Sequence, residues 1–445
     1  MKNNIHKGIT FILGIGIGIS ASAQTMVNNG ATIAITDNAV MIVKTDGVTT
    51  QSGSLENNAT NTGILKNKGQ LILEGDFINT SGVADGFSTN TGEYIVYKDW
   101  VNNAQFNADQ SKVFLRGNNQ FITGSNVTTF FDLICETANT KKTQTLDAKV
   151  ANTLTLNNNE LATADYRMTV LNADPNAIVV NGVNDAFVSS TNNGRLVRAT
   201  NSTSSYLFPT GWDNAGNPII REVTIQPSGA INDFYYVRMA FNTGSSTTTT
   251  DDGYNIATKK LGVDLVNDKF YHLVNSDSKT AADLGVNFDI TADGSWESLG
   301  RWQNGPQWEN LKNTAVVNGS PRYTMKRLSW VPTSDEAHAL LNMVKTTKDF
   351  AFPNVFAPQA TGTADENTYF GIINQGGLVT LEELSVFNRW GEMVFSSKRD
   401  GTDKWNGHFQ GKLQQQGNYV YLAKVRNNDT GILYPTFTGN ITLLW

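Results

Sequence analysis

Cysteine is almost missing from this chain of 445 residues; Cys135 is the only one. One thiol cannot close an internal disulfide, so a stable fold outside the cytoplasm would have to rest on packing alone. Its neighbours Phe131, Leu133 and Ile134 mark it as a small buried hydrophobe rather than a reactive thiol. Histidine is nearly as scarce, with only His6, His272, His338 and His408. None has convergent partners at metal-ligand or Ser-His-Asp spacing, which argues against either chemistry. Charged residues make up 17 % of the chain and the formal net charge is −6. That balance lacks the basic stripe a nucleic-acid partner would need, so none is expected. Proline is also rare, at 10 residues, while the hydrophobic fraction is 39 % and Gly, Asn and Thr are plentiful. This is the composition of an ordered, β-rich protein and not of a disordered tail.

Long apolar runs are missing too, apart from Gly8 to Ile19. That run follows Lys2 and Lys7 and precedes Ala21-Ser22-Ala23, so residues 1–23 read as a secretory signal peptide. It is shorter than the roughly 20 residues of a membrane span and is interrupted by Gly14, Gly16 and Gly18. Helical text is otherwise confined to Ser334–Val344, where one or two turns could form. An enzyme of the α/β classes is therefore not expected.

What fills the chain is short alternating strands. Residues 24–194 set apolar pairs between Asn, Gly and Thr, as in Ile64-Leu65, Leu71-Ile72-Leu73 and Phe77-Ile78. Related versions follow at Val113-Phe114-Leu115, Leu154-Thr155-Leu156 and Ile178-Val179-Val180. Period-two runs with Asn and Gly at the corners read as rungs of a parallel β-solenoid. The period drifts, which leaves a twisted sandwich as the alternative. From Arg195 to Thr347 the strands lengthen, and Gly294, Gly300, Gly305-Pro306 and Gly319 supply turns at the spacing of an immunoglobulin-like sandwich.

The last segment, 350–445, is the most informative. It opens on Phe352-Pro353-Asn354-Val355-Phe356 and runs through Val386-Phe387-Asn388-Arg389-Trp390-Gly391-Glu392-Met393-Val394-Phe395. Trp405-Asn406-Gly407 and Gly417-Asn418-Tyr419-Val420-Tyr421 follow, and it closes on Gly439-Asn440-Ile441-Thr442-Leu443. Strands this short between Gly and Asn turns describe a small antiparallel β-sandwich. The five motifs, in this order, resemble the gliding-motility-associated C-terminal domain, the type B sorting domain of the type IX secretion system. The resemblance implies export by the type IX translocon, retention at the cell surface by a barrel-shaped outer-membrane protein, and a possible large gliding adhesin as companion. It also implies that Trp390 and Trp405 belong to the domain core. The family's acidic loop after the opening strand suits calcium. Here Thr361 replaces its first carboxylate within Gln359–Asn367, so calcium is not expected, and no other cofactor is.

Three further features compete with a purely structural reading. Asp251 with Asp252, or Asp289, Asp293 and Glu297, could pair for glycoside hydrolysis, but they sit beside Gly253 and Gly294, where Asp supports turns. Trp296, Trp302 and Trp308 recur every six residues near Arg301 and Gln303 and could stack on sugar rings or pack a core. His272 lies between Tyr271 and Leu273 and reads as structural. The whole predicts a non-enzymatic, all-β cell-surface protein held at the outer membrane, with an accessory role in a gliding-adhesin complex. A carbohydrate-binding adhesin module is the alternative, and a polysaccharide-degrading enzyme a more remote one.

Overall fold

The computed structural model describes residues 21–22, 25–30, 32–44, 53–57, 63–80, 91–182, 186–214, 216–242, 250, 252–303, 306–319, 322–334, 336–343, 350–360, 367–373, 379–428, 431 and 433–445. The signal-peptide reading falls almost wholly on residues outside this set. Among the described residues no helix is long and apolar enough to cross a membrane; the two helices present, Ile290–Asp293 and Ser397–Asp400, are each a single turn.

The N-terminal half is a β-solenoid. One face stacks Thr25–Asn28, Ser54–Asn57, Phe77–Asn79, Trp100–Asn102, Gln120–Gly124, Lys141–Gln144, Glu160–Ala162 and Phe187–Ser189, every neighbour pair parallel. A second face stacks, among others, Val40–Lys44, Gln70–Leu73, Glu93–Val96, Lys112–Leu115, Thr128–Cys135, Ala148–Asn157 and Arg167–Val170. Alternate side chains turn inward, as period-two strands require, so Leu71, Leu73, Val113, Leu115, Leu133 and Leu154 are all completely buried. Aromatic rings pack across the rungs: Phe77 stacks on Trp100 at 4.2 Å, and Phe106 meets Trp100 edge-on at 5.0 Å. Cys135 lies in this interior, where desolvation pushes its thiol up to about 12. It is inert packing.

The corner asparagines have a definite role. Asn28, Asn57, Asn79 and Asn102 stack as a buried ladder, each Nδ2 donating to the next Oδ1 at 2.9, 3.4 and 2.9 Å. A carboxamide has both a donor and an acceptor, so identical residues in register satisfy one another where water cannot reach. The ladder stops at Gly124, the register partner of Asn102, because a Cβ there would come within 2.0 Å of the Asn102 carbonyl. One rung on, Lys142 is buried and its Nζ donates to Gly117 O, to Asn118 O at 2.8 Å and to Thr140 Oγ1 at 3.2 Å.

An antiparallel two-sheet sandwich follows, and it grows directly out of the solenoid. Arg195–Thr200 pairs parallel with Arg167–Val170 on one side and antiparallel with Asp233–Phe241 on the other. The sheet continues through Phe270–Ser276, Glu336–Met343, Ser298–Gln303 and Gln307–Asn310. Facing it are Tyr206–Phe208, Val223–Pro227, Ala282–Phe288, Tyr323–Trp330 and Thr314–Val317. One hydrophobic core runs from Ile35 to Leu340, across residue 195. The possible helix within 334–344 is instead the strand Glu336–Met343. It is central in its sheet and buried on both faces, so its apolar residues do not alternate and its periodicity cannot separate strand from helix.

The C-terminal domain has its own core of Phe356, Phe370, Leu384, Val386, Val394, Phe395, Trp405, Tyr419, Ala423, Ile441 and Leu443. Its main sheet runs Val355–Phe356, Phe437–Leu443, Gly417–Asn427, Val379–Phe387, Met393–Ser396. The sequence suggested a purely antiparallel domain, but the opening strand pairs parallel with the final one. Val355 lies beside Thr442 and Phe356 beside Leu443, so the two strands run side by side in the same direction.

Candidate functional site: the C-terminal domain and the sandwich tryptophans

Each motif of the C-terminal domain has a local physical reason. Asn354 O accepts from Thr442 N, and Phe356 O from Leu444 N, both at 3.0 Å, so the segment following the half-buried Pro353 clamps the last strand. Phe356 points inward to Trp405 at 5.3 Å, and Trp405 meets Tyr419 edge-on at 5.0 Å. Trp405 is buried, and its Nε1 donates to His408 O at 3.0 Å, which satisfies the indole N–H. Gly407 has φ +77°, and a Cβ there would meet Pro358 at 2.6 Å. Gly439 lies under the Tyr421 ring, where a Cβ would come within 2.6 Å. Gly417 opens its strand at φ +147°, and Tyr419 Oη donates to Gln415 O at 2.7 Å.

Trp390 departs from expectation. Of the two tryptophans assigned to this core only Trp405 is inside; Trp390 is 81 % exposed. It sits in the hairpin between Val379–Phe387 and Met393–Ser396. Asn388 organises that turn: its Oδ1 accepts from Trp390 N and Glu392 N, both at 3.0 Å, and its Nδ2 donates to Glu392 Oε2 at 3.0 Å. Gly391 takes φ +78° and donates to Asn388 O at 2.9 Å. A residue held at the tip of such a turn cannot reach the core, and the Arg389 guanidinium covers its ring at 5.3 Å instead. The Asn-to-Gly spacing was the available turn signal.

The three sandwich tryptophans do not form one platform. Trp302 and Trp308 are register partners whose rings meet at 5.5 Å, nearly perpendicular. Trp308 is fully buried in a small apolar cluster with Tyr271, Leu273 and Leu341, and Trp302 packs on it together with Tyr254. Trp296 packs against the main core, and its Nε1 donates to Asp293 O at 3.1 Å.

The carboxylates considered for glycoside hydrolysis are engaged elsewhere. Asp289 caps the helix Ile290–Asp293 by accepting from Thr291 N and Ala292 N. Asp293 makes a buried bidentate pair with Arg221 at 2.5 and 2.7 Å. Asp252 accepts from Arg238 and from the Tyr271 hydroxyl, Glu297 Oε2 accepts from Met343 N at 3.1 Å, and Asp251 lies outside the described residues. His272 and His338 are register partners, both completely enclosed. Of the loop Gln359–Asn367, where calcium was not expected, residues 361–366 lie outside the described residues; the flanks are tied by Ala357 N donating to Asn367 O at 2.8 Å.

With this geometry in place the class is clear: an all-β protein with a solenoid-bearing body and a separately packed terminal domain. Residues 350–442 match the CHU_C Type IX secretion signal domain. The chain therefore carries a C-terminal sorting domain that directs export by the type IX machinery to the cell surface or outer membrane. No curated protein and no solved structure matches the chain.

Proposed function

We propose that this is a non-enzymatic cell-surface protein whose residues 350–445 are held by a barrel-shaped outer-membrane partner, and that it serves as an accessory component of a gliding-motility adhesin complex. The observation that carries the reading is the terminal domain, which matches the sorting family and packs around a core sharing no residue with that of the solenoid and sandwich. An address module with its own core leaves the body free to be cargo. The non-enzymatic part is supported by the engagement of Asp252, Asp289 and Asp293 in caps and ion pairs, and by the enclosure of His272 and His338.

The test is deletion of residues 350–445 in the native host, followed by protease accessibility on whole cells. The truncated protein should accumulate inside the envelope; normal surface display of the truncated form refutes the sorting role. The accessory role predicts that deleting the gene stops surface spreading and that the protein co-purifies with a large adhesin from outer membranes. Normal spreading and solitary purification would remove that part. A second reading, a carbohydrate-binding surface module, is favoured by a polar groove on the body.

A further inference from the structure

Where the parallel solenoid sheet turns into the antiparallel sandwich sheet, its outer face carries two adjoining clefts of about 370 and 490 Å³ that share Asp277. The register sets the face. Arg167 pairs with Arg195, Thr169 with Val197, Val197 with Tyr236, and Tyr236 with Asn275. Inward neighbours on the same strands, Leu196, Tyr235, Val237 and Val274, are buried in the main core, so Arg167, Arg195, Tyr236 and Asn275 stand on the other side. The first cleft is polar, lined by these four with Asn193 and Asp277. The second is apolar at its end, with Leu171, Ala199 and Phe234.

Arg167 decides the chemistry. It is exposed, its guanidinium lies over the Tyr236 ring at 5.5 Å, and it makes no hydrogen bond or ion pair through its side chain among the described residues. Arg195, by contrast, is buried and tied to Asn192 O and Gly194 O at 2.9 and 2.7 Å, a fixed positive charge beneath the cleft. The two guanidinium groups are register partners in one cleft, with Asp277 on its far wall. The planar fork of an unengaged arginine takes a carboxylate through two parallel N–H bonds. Asp277, which accepts from the Tyr236 hydroxyl at 3.1 Å, the Asn193 amide and the Asn275 Nδ2, whose Oδ1 is already taken by Ser276 N and the Lys279 ammonium, offer acceptors and donors suited to hydroxyl groups rather than to a second strong anion. Phe234 lies two residues before Tyr236 on the same face, about 7 Å along the strand. It supplies an apolar surface for the C–H face of a ring.

We propose that this groove binds a glycan strand bearing carboxylates, a uronic-acid polysaccharide, with one carboxylate on Arg167 and a neighbouring ring lying on Phe234. The inference concerns the body alone and does not depend on how the protein reaches the surface. The probes are oligogalacturonate, its methyl ester and a neutral cello-oligosaccharide of equal length, titrated calorimetrically into the full secreted chain. Oligogalacturonate should bind and weaken as salt rises, while the ester and the neutral glycan should bind at least tenfold more weakly. R167A and F234A should each lower affinity roughly tenfold or more with an unchanged melting curve, and R167K should recover only part of it because ammonium lacks the fork. W302A, at the apolar cluster away from the groove, should bind as wild type. If oligogalacturonate, oligomannuronate and hyaluronan fragments all fail to bind, if the ester binds equally, or if R167A binds unchanged, the proposal is overturned. Equal binding of free galacturonate and the oligomer overturns the strand and leaves only an anion site.

Discussion

Acidifying the protein from pH 7 to pH 5 should cost the sandwich about 4 kcal/mol through two histidines alone. His272 Nε2–H donates to the Arg221 carbonyl at 2.8 Å, and His338 Nδ1–H donates to the Glu336 carbonyl at 3.0 Å, so both rings are bonded as neutral imidazoles. Burial disfavours the charged form, and the Arg221 guanidinium beside His272 works in the same direction; together they take His272 down to about 4. His338 falls to about 3, first from burial, then from His272 and Arg301 nearby. The Glu336 carboxylate lies 3.7 Å from His338 Nε2 and on its own would favour the cation. Full enclosure outweighs that contact at this distance, and His338 stays neutral beside Glu336 at pH 7.

The unfolded chain takes up protons on these residues near pH 6.5 and the folded chain does not until about pH 4 and 3. Protons are then bound more by the unfolded state, and stability rises with pH across that window. At pH 5 each site is about 1.5 pH units below its unfolded value, which at about 1.4 kcal/mol per unit is about 2 kcal/mol per histidine. Urea unfolding at pH 7, 6 and 5 measures the loss, above the range in which carboxylates titrate. H272Q with H338Q should flatten the dependence whatever its effect on absolute stability. Imidazole carbon NMR should show both rings still neutral at pH 5 in the folded protein. Titration of either ring above pH 6, or an equal loss of stability in the double variant, would refute the reasoning.

Three other outcomes are expected. Asn79→Ala removes two donated bonds, to Asn102 Oδ1 and Gln105 O, and takes from Asn57 Nδ2 one of its two acceptors, leaving Gly63 O, at a cost of about 2–4 kcal/mol in urea unfolding; a change under 1 kcal/mol would mean the ladder is dispensable. Gly439→Val drives a side chain into the Tyr421 ring and should destabilise the C-terminal domain by about 1–3 kcal/mol, read by calorimetry. Trp405→Ala should cost about 3–5 kcal/mol, whereas Trp390→Ala should stay within about 0.5 kcal/mol; equal losses in the two variants would contradict the exposed position of Trp390.

The residues legible in the sequence are those whose partners are near or whose spacing is fixed. The period-two apolar runs, such as Leu71-Ile72-Leu73 and Val113-Phe114-Leu115, carry the solenoid, whereas the ladder of Asn57, Asn79 and Asn102, 22 and 23 residues apart, emerges only in the structure. The Trp405-Asn406-Gly407 turn and the terminal Gly439 strand identify the sorting domain without any three-dimensional information. The polar groove was not legible. Arg167, Arg195 and Tyr236 come from three strands, and nothing in Arg195–Thr200 states that it pairs backward with Arg167–Val170 and forward with Asp233–Phe241. Strand partners are chosen by packing of the whole sheet, and a period-two pattern records only which side chains face inward. Trp390 was misplaced for a related reason: its motif was read as a strand pair, and its position at the turn depends on Asn388 bonding across it.

The junction at residue 195 also solves a problem every solenoid has. Its last rung presents a row of unpaired N–H and C=O groups that would pair with another chain. Here Asp233–Phe241 covers the open side of Arg195–Thr200, and Tyr235, Val237 and Met239 extend the interior begun by Leu133, Leu154 and Leu196. The sandwich thus covers the end of the solenoid, and one sheet and one hydrophobic core cross the boundary drawn from texture at 194/195. A fragment spanning 24–194 should expose Arg167–Val170 as an edge strand and lose the core contacts of Leu196 and Tyr235. It should aggregate or stay unfolded by circular dichroism and size-exclusion chromatography, while 24–347 should be monomeric and cooperative. A monodisperse, cooperatively folded 24–194 fragment would show that the rungs need no cap, and the shared sheet would then be contact without consequence.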